Sequence, residues 1–205
     1  MSDRKLKAAI KSSQPIAAGF LKVTRYEFDT DMHAGGSQVI VREVMERGHA
    51  VAVLGYDPRR DEVVLVNEFR PGCLVAGDDP YTDNLAAGGI ADGESAVDAA
   101  IREMKEETGL DLSSPELVHP GAFVSSGGTS EKITIVAGLV DASQAGGIHG
   151  NEGESEDIRA VVLSADEFIA KVRDGTTNDL KTLVAGYWFA EHRDRLRKAR
   201  QRSNT

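Results

Sequence analysis

Glu103, Glu106 and Glu107 follow directly on Arg102, with Glu94 and Gly88 ahead of them and Gly109 and Leu110 behind. On a helix, Glu103 and Glu107 stand one turn apart and Glu106 lies three residues from Glu103, so the three carboxylates share one flank. Such like-charge pairs repel by about 0.2–0.5 kcal/mol each on an exposed helix, and by more where water is excluded. A hard divalent cation such as Mg²⁺ relieves that repulsion: it takes carboxylate oxygens, keeps several waters and is completed by substrate phosphates. Arg102 can pair with Glu106 at i+4 while Glu103 and Glu107 face the cation. The spacing points to metal-assisted chemistry on a phosphate-bearing substrate. A plain solvated acidic face is the competing reading, and the flank position and the flanking glycines argue against it.

The helix that must carry these groups is bounded at both ends. Ser95 or Glu94 fits the N-cap and acidic first turn, and Gly109 fits a left-handed C-terminal cap. Ala96, Val97, Ala100, Ile101 and Met104 form its apolar stripe, with Asp98, Arg102 and Lys105 opposite. Around it, Phe20 to Phe28 and Ser37 to Met45 read as one hairpin, and His49 to Tyr56 and Glu62 to Arg70 as a second, joined across Asp57 to Asp61. Leu85 to Ala87 leads into the run that begins at Gly88, and after it Leu117 to Ser125, Lys132 to Val140 and Arg159 to Leu163 read as strands. Ser164 and Glu167 form a capping box that opens a helix, and a last helix covers Asp179 to Arg195. Strands interspersed with a few helices fit a mixed sheet between helices. The Asp78-Asp79 stretch and Gly146 to Glu156 read as mobile loops, the second crowded with Glu152, Glu154, Glu156 and Asp157.

Composition excludes several functions. At 205 residues the chain can bury one good core. Its apolar runs are too short to span a bilayer and its basic first residues lack an apolar signal core, so no membrane is expected and the cytoplasm is the expected compartment. A formal net charge of -9 argues against nucleic-acid binding. An anionic substrate therefore needs metal ions and a few local arginines. Cys73 is the one cysteine, which excludes an intrachain disulfide and a cysteine zinc site. The five histidines lack ligand spacing, and no serine carries a nucleophile motif.

The run from Gly88 to Leu110 resembles the signature of the Nudix hydrolases at every defined place, Met104 standing where an aliphatic residue is usual. The stretches Glu46 to Ala50, Gly127 to Glu131, Gly147 to Gly150 and Glu154 to Arg159 resemble those of the family's bacterial ADP-ribose pyrophosphatases, so the likeness runs from about Phe20 to the final helix. It implies an α/β fold of the α+β kind, an α/β/α sandwich with a mixed β-sheet spanning 48–205, behind a β-rich extension, 1–47, that serves dimerisation. It implies hydrolysis of the diphosphate of ADP-ribose to AMP and ribose 5-phosphate with Mg²⁺, Mn²⁺ being the other candidate. The Ala87 carbonyl, Glu103, Glu107 and Glu156 are implied as metal ligands, with Glu106 in support and Glu154 as the base that activates water. Arg70 and Glu131 are implied to hold the substrate, a nucleoside diphosphate sugar, while Arg42, Arg47 and Phe20 reach it from the N-terminal region of a homodimer partner. Ser125 and Ser126 stand where that group usually carries a proline, which leaves open GDP-mannose or another nucleoside diphosphate sugar. A reading of a different class is a non-catalytic ADP-ribose sensor.

Overall fold

In a computed structural model, the structure describes residues 5–151, 153 and 155–203, with side chains described as far as residue 198. Two compact units divide the chain: Met1–His49 with Phe123–Lys132, and Ala50–Ala122 with Ile133–Thr205.

The first unit is built on a three-stranded antiparallel sheet, β1 (Ala8–Ala18), β2 (Lys22–Asp31) and β3 (Ser37–Glu46), in that order. The β2–β3 hairpin matches the alternation in the sequence, in a register that sets Tyr26 opposite Arg42 and Lys22 opposite Glu46. Strand β1 was not expected, because Lys11 to Pro15 show no apolar alternation. All its residues are exposed, so backbone pairing to β2 rather than a buried face makes it a strand. Register shifts between Ile10 and Ser12 and between Pro15 and Ala17 interrupt the ladder, the second beside the proline that cannot donate. Phe123–Lys132 joins this unit through β3: Ser130 N–H and the Thr129 hydroxyl both donate to Met45 O, at 3.2 and 3.1 Å.

The second unit contains β4 (Ala50–Asp57), β5 (Glu62–Phe69), α1 (Pro71–Ala76), β6 (Tyr81–Asn84), β7 (Ala86–Gly89), α2 (Ala96–Thr108), β8 (Ser113–Phe123), β9 (Lys132–Leu139), β10 (Ile148–His149), β11 (Ile158–Ser164), α3 (Ala165–Arg173) and α4 (Leu180–Ser203), the last residue of β8 and the first of β9 being counted with the first unit. Its sheet runs β10-β11-β5-β4-β9-β8, with β6 pairing β5 and β7 pairing β4. The β4–β9 pair is parallel while β4–β5, β5–β11 and β4–β7 are antiparallel, giving the expected mixed sheet. Strict alternation sorts the central strands into two cores. Leu54, Tyr56, Val63, Leu65 and Leu163 pack with Phe168, Val172, Ala185 and Phe189 of α3 and α4. Val51, Val53, Val64, Val66 and Ile158 pack with Ala99, Ala100 and Met104 of α2. The result is an α/β/α sandwich.

The Asp78-Asp79 stretch lies outside any helix or strand, as expected, while a short helix precedes it and a short strand falls within the second expected loop. The residues before Asp78-Asp79 form α1, started by Pro71 in its first turn and ended by Gly77 in the left-handed conformation. Within Gly146 to Glu156, the short strand β10 pairs with β11, Ile148 opposite Arg159.

Candidate active site

Helix α2 begins at Ser95, whose hydroxyl oxygen accepts from the Asp98 N–H, and ends at Gly109 with φ 72°. Both caps agree with the sequence. Its rotation does not. Ile101 is 38% exposed, and Ala99 is buried instead. The helix is rolled so that Glu103 and Glu107 point inward, at 7% and 3% exposure, rather than sitting on a flank.

Burying two carboxylates one turn apart is unfavourable unless each is held. Glu107 Oε2 accepts from the Ala87 N–H at 3.1 Å, which ties α2 to β7. Burial first, then the charges of Glu68 and Glu103, push the Glu107 carboxyl up to about 9. Burial also raises Glu103, against the pull of Arg102. Arg102 is the clasp of the site. Its guanidinium donates to Glu94 at 2.9 and 3.1 Å, to Glu103 at 2.6 Å, to Glu106 at 3.1 Å and to Gly89 O at 2.9 Å. Glu106 is thus held as its i+4 spacing predicts, on the exposed side of the helix.

Gly88 faces this cluster. A Cβ on it would stand 2.0 Å from Glu103 Oε1, so only glycine leaves the carboxylate its place. The chain from Gly146 approaches the other end of α2: Gly150 N–H donates to Glu106 O at 3.4 Å, and a Cβ on Gly109 would meet His149 Cε1 at 2.9 Å. Glu156 follows on this stretch, its Oε2 accepting from Asn151 N–H at 3.0 Å, and its charge raises both Glu103 and Glu68. Glu154 lies outside the described residues.

Glu68 is the residue that sequence reasoning missed. It stands on β5 with an ion pair to Arg70, their side chains 14% and 29% exposed. A signal was available, since Val64, Val66 and Glu68 share one face by alternation, but only the packing of α2 on that face tells that Glu68 joins the carboxylates. In the first unit, Glu131 is buried and stands 3.5 Å from Arg47 Nε. Arg42 is exposed and lines a cleft of about 680 Å³ with Arg25, Glu27 and Glu43. Phe20 is 90% exposed and belongs to no core.

The donor set suits a hard divalent cation: oxygen ligands on buried carboxylates that repel one another, with a glycine leaving room for the Glu103 carboxylate. Among the described residues no three His, Cys, Asp or Glu side chains already converge in a ligating arrangement. Glu103 accepts from Arg102 through Oε1 and Glu107 from the Ala87 N–H through Oε2, so each carboxylate is oriented through one oxygen and can offer the other to an ion. No helix among the described residues is long and apolar enough to cross a membrane.

Comparison with known proteins sets this geometry in context. The NUDIX domain family model matches residues 46–184. An ADP-ribose pyrophosphatase of Escherichia coli is 36% identical over 189 residues, covering 92% of this chain and 90% of that protein. A GDP-mannose pyrophosphatase of Yersinia enterocolitica is 31% identical over 173 residues, covering 84% and 89%. Among solved structures, an ADP compounds hydrolase superposes with a TM-score of 0.67 at 20% identity, covering 91% of this chain and 96% of its own. That likeness concerns the fold.

Proposed function

The chain belongs to the NUDIX domain family, and on that premise we propose that it is a divalent-metal-dependent hydrolase of nucleoside diphosphate sugars that splits ADP-ribose into AMP and ribose 5-phosphate. The observation that carries this reading is the buried pair Glu103 and Glu107 on α2, one turn apart and clasped by Arg102. A fold does not by itself need two buried, mutually repelling carboxylates, and a sensor that only binds does not need them either. The choice of ADP-ribose is supported by the higher identity to the ADP-ribose pyrophosphatase. GDP-mannose is the second substrate to test, because a GDP-mannose pyrophosphatase is also similar over most of the chain.

Glu103, Glu107, Glu156 and the Ala87 carbonyl would hold Mg²⁺, with Mn²⁺ as the alternative, and Glu106 supports them through Arg102. When bound, the metal polarises the diphosphate and acidifies water. The protein's own groups do the rest. Arg102 keeps Glu103 and Glu106 in place, and Gly88 leaves the Glu103 carboxylate the room it occupies. Arg70 offers a planar fork to diphosphate oxygens. Glu154 takes the proton of the attacking water, a role resting on its place in the sequence. Arg42, Arg47, Glu131 and Phe20 are assigned to substrate on the same resemblance.

A homodimer completes the proposal. In the first unit Phe20, Val39 and Val41 are 90, 51 and 47% exposed, apolar side chains that a second copy would cover. Light scattering on purified protein reads the mass directly, and a monomer at micromolar concentration would remove this part of the proposal.

The hydrolase itself is tested with Mg²⁺ on a panel of ADP-ribose, GDP-mannose, NADH and diadenosine polyphosphates. Turnover led by ADP-ribose is expected. Turnover led by GDP-mannose replaces the substrate, and none on any member removes the enzymatic reading.

A further inference from the structure

Strand β5 presents Val64 and Val66 to the core beneath α2, and Glu68 and Arg70 continue that alternation toward the carboxylates. The backbone of Arg70 is fixed on both sides. Its N–H donates to Pro80 O at 2.7 Å, and its carbonyl accepts from Cys73 N–H at 3.1 Å at the start of α1. Backbone anchoring leaves open where a long guanidinium points.

Glu68 answers that. Glu68 Oε1 and Arg70 Nη2 meet as an ion pair. Both atoms are shut off from water and, this contact apart, neither has a hydrogen-bond partner among the described residues. Buried donors and acceptors are normally satisfied, because leaving one bare costs about 1–3 kcal/mol. The surroundings of the pair are mostly acidic: Glu107 feels both Glu68 and Arg70, while Glu156 acts on Glu68 and is opposed there by Arg70 and Lys181. An arginine freed from Glu68 would turn to Glu107 and compete for the oxygens a cation needs. Held by Glu68 two residues before it, the guanidinium spends one edge on the strand and keeps its remaining N–H groups for another anion.

We propose that Glu68 is a positioning residue: its ion pair fixes the Arg70 guanidinium in the orientation that receives the substrate's diphosphate and keeps it off the α2 carboxylates. This rests on the reading of Arg70 as a diphosphate contact. Glu68 does not itself touch the substrate in this account.

The test uses the full chain and two kinds of readout. Glu68→Ala raises KM for ADP-ribose about tenfold while kcat stays within about threefold, the size of effect seen when the partner of a binding group is lost. Glu68→Gln restores most of the loss, since its carboxamide oxygen still accepts from Arg70. By calorimetry without substrate, Mn²⁺ affinity of both variants stays within about threefold of wild type, and inorganic pyrophosphate with Mn²⁺ binds about tenfold more weakly to Glu68→Ala. Arg70→Ala and the double variant Glu68→Ala/Arg70→Ala behave alike, because Glu68 has nothing left to aim. If the Ala variant does not fold, Glu68→Asp, which keeps the charge and shortens the reach, must raise KM with unchanged Mn²⁺ affinity; a wild-type KM overturns the proposal. A tenfold loss of Mn²⁺ affinity in Glu68→Ala also overturns it and makes Glu68 a metal ligand, and an additive double variant overturns it by showing that Glu68 and Arg70 act independently. Should wild type hydrolyse no nucleoside diphosphate sugar, the pyrophosphate titration still decides whether Glu68 aims Arg70.

Discussion

Glu103 fills the space that a side chain on Gly88 would need. A Cβ there would stand 2.0 Å from Glu103 Oε1, 2.2 Å from Cδ and 2.5 Å from Oε2, so the two residues are coupled through strand β7 and helix α2. Gly88→Ala must push the carboxylate aside. Displacing a reacting group by about 1 Å can cost on the order of 100-fold in rate, and that is the expected fall in kcat. Circular dichroism should remain native, because the three atoms nearest that Cβ all belong to the Glu103 side chain. Turnover within a factor of about three of wild type would show that the position of Glu103 does not matter.

Arg102 makes contacts that lysine cannot reproduce. One planar guanidinium serves Glu94, Glu103, Glu106 and Gly89 O together, whereas an ammonium is a point charge on a flexible stem. Arg102→Lys preserves the charge and should still lower metal affinity about 10- to 100-fold, as expected for loss of groups that orient ligands. Mn²⁺ titration by calorimetry reads this without turnover. Unchanged affinity would mean that charge alone holds the carboxylates.

How far the sequence foretold this site depends on which forces compete at each position. Helix α2 was legible because its caps are local: Ser95 and Gly109 act on neighbouring backbone. Its rotation was not. Apolar periodicity would bury Ile101, but burying Glu103 and Glu107 turns the helix so that Ala99 takes its place in the core. Glu68 was missed for a related reason. A glutamate near a strand end reads as the solvated limit of an alternating pattern, and only tertiary packing sets it beside other acids. The hairpins and the capped helix α3 follow from turn residues and the Ser164 cap, while β1 shows no pattern because no face of it is buried.

Gly109 links the end of α2 to the chain leading to Glu156. Its φ of 72° favours glycine, and a Cβ would meet His149 Cε1 at 2.9 Å. Gly109→Ala therefore combines backbone strain with a clash, and should cost about 1–3 kcal/mol of stability. If His149 moves away instead, the stability loss shrinks toward the strain alone and kcat falls with the displaced chain. Thermal unfolding and kcat measured on one preparation distinguish these responses; a variant unchanged in both would show the contact to be idle.

Asp61 ties the β4–β5 turn to α4. Its carboxylate accepts from Tyr56 OH at 2.7 Å and from Arg193 Nε at 3.0 Å, and Arg197 Nη1 stands 3.3 Å away. The hydrogen bond from Arg193, helped by Tyr56 and by both arginines' charge, holds the carboxyl below its ordinary value against the cost of burial. A carboxylate depressed in the folded state stabilises the fold at pH above the unfolded value, and that contribution is lost as pH falls through the folded value. Asp61→Asn tests this cleanly: φ is 59° here, and asparagine tolerates left-handed backbone nearly as well as aspartate. The variant should melt roughly 3–8 °C lower at pH 7, for loss of charge-assisted hydrogen bonds. The gap should narrow as pH drops below the usual carboxylate range, where wild-type Asp61 is also protonated. A gap that stays constant down to acid pH would mean that Asp61 acts by shape, and that its ion pairs with α4 contribute nothing to stability.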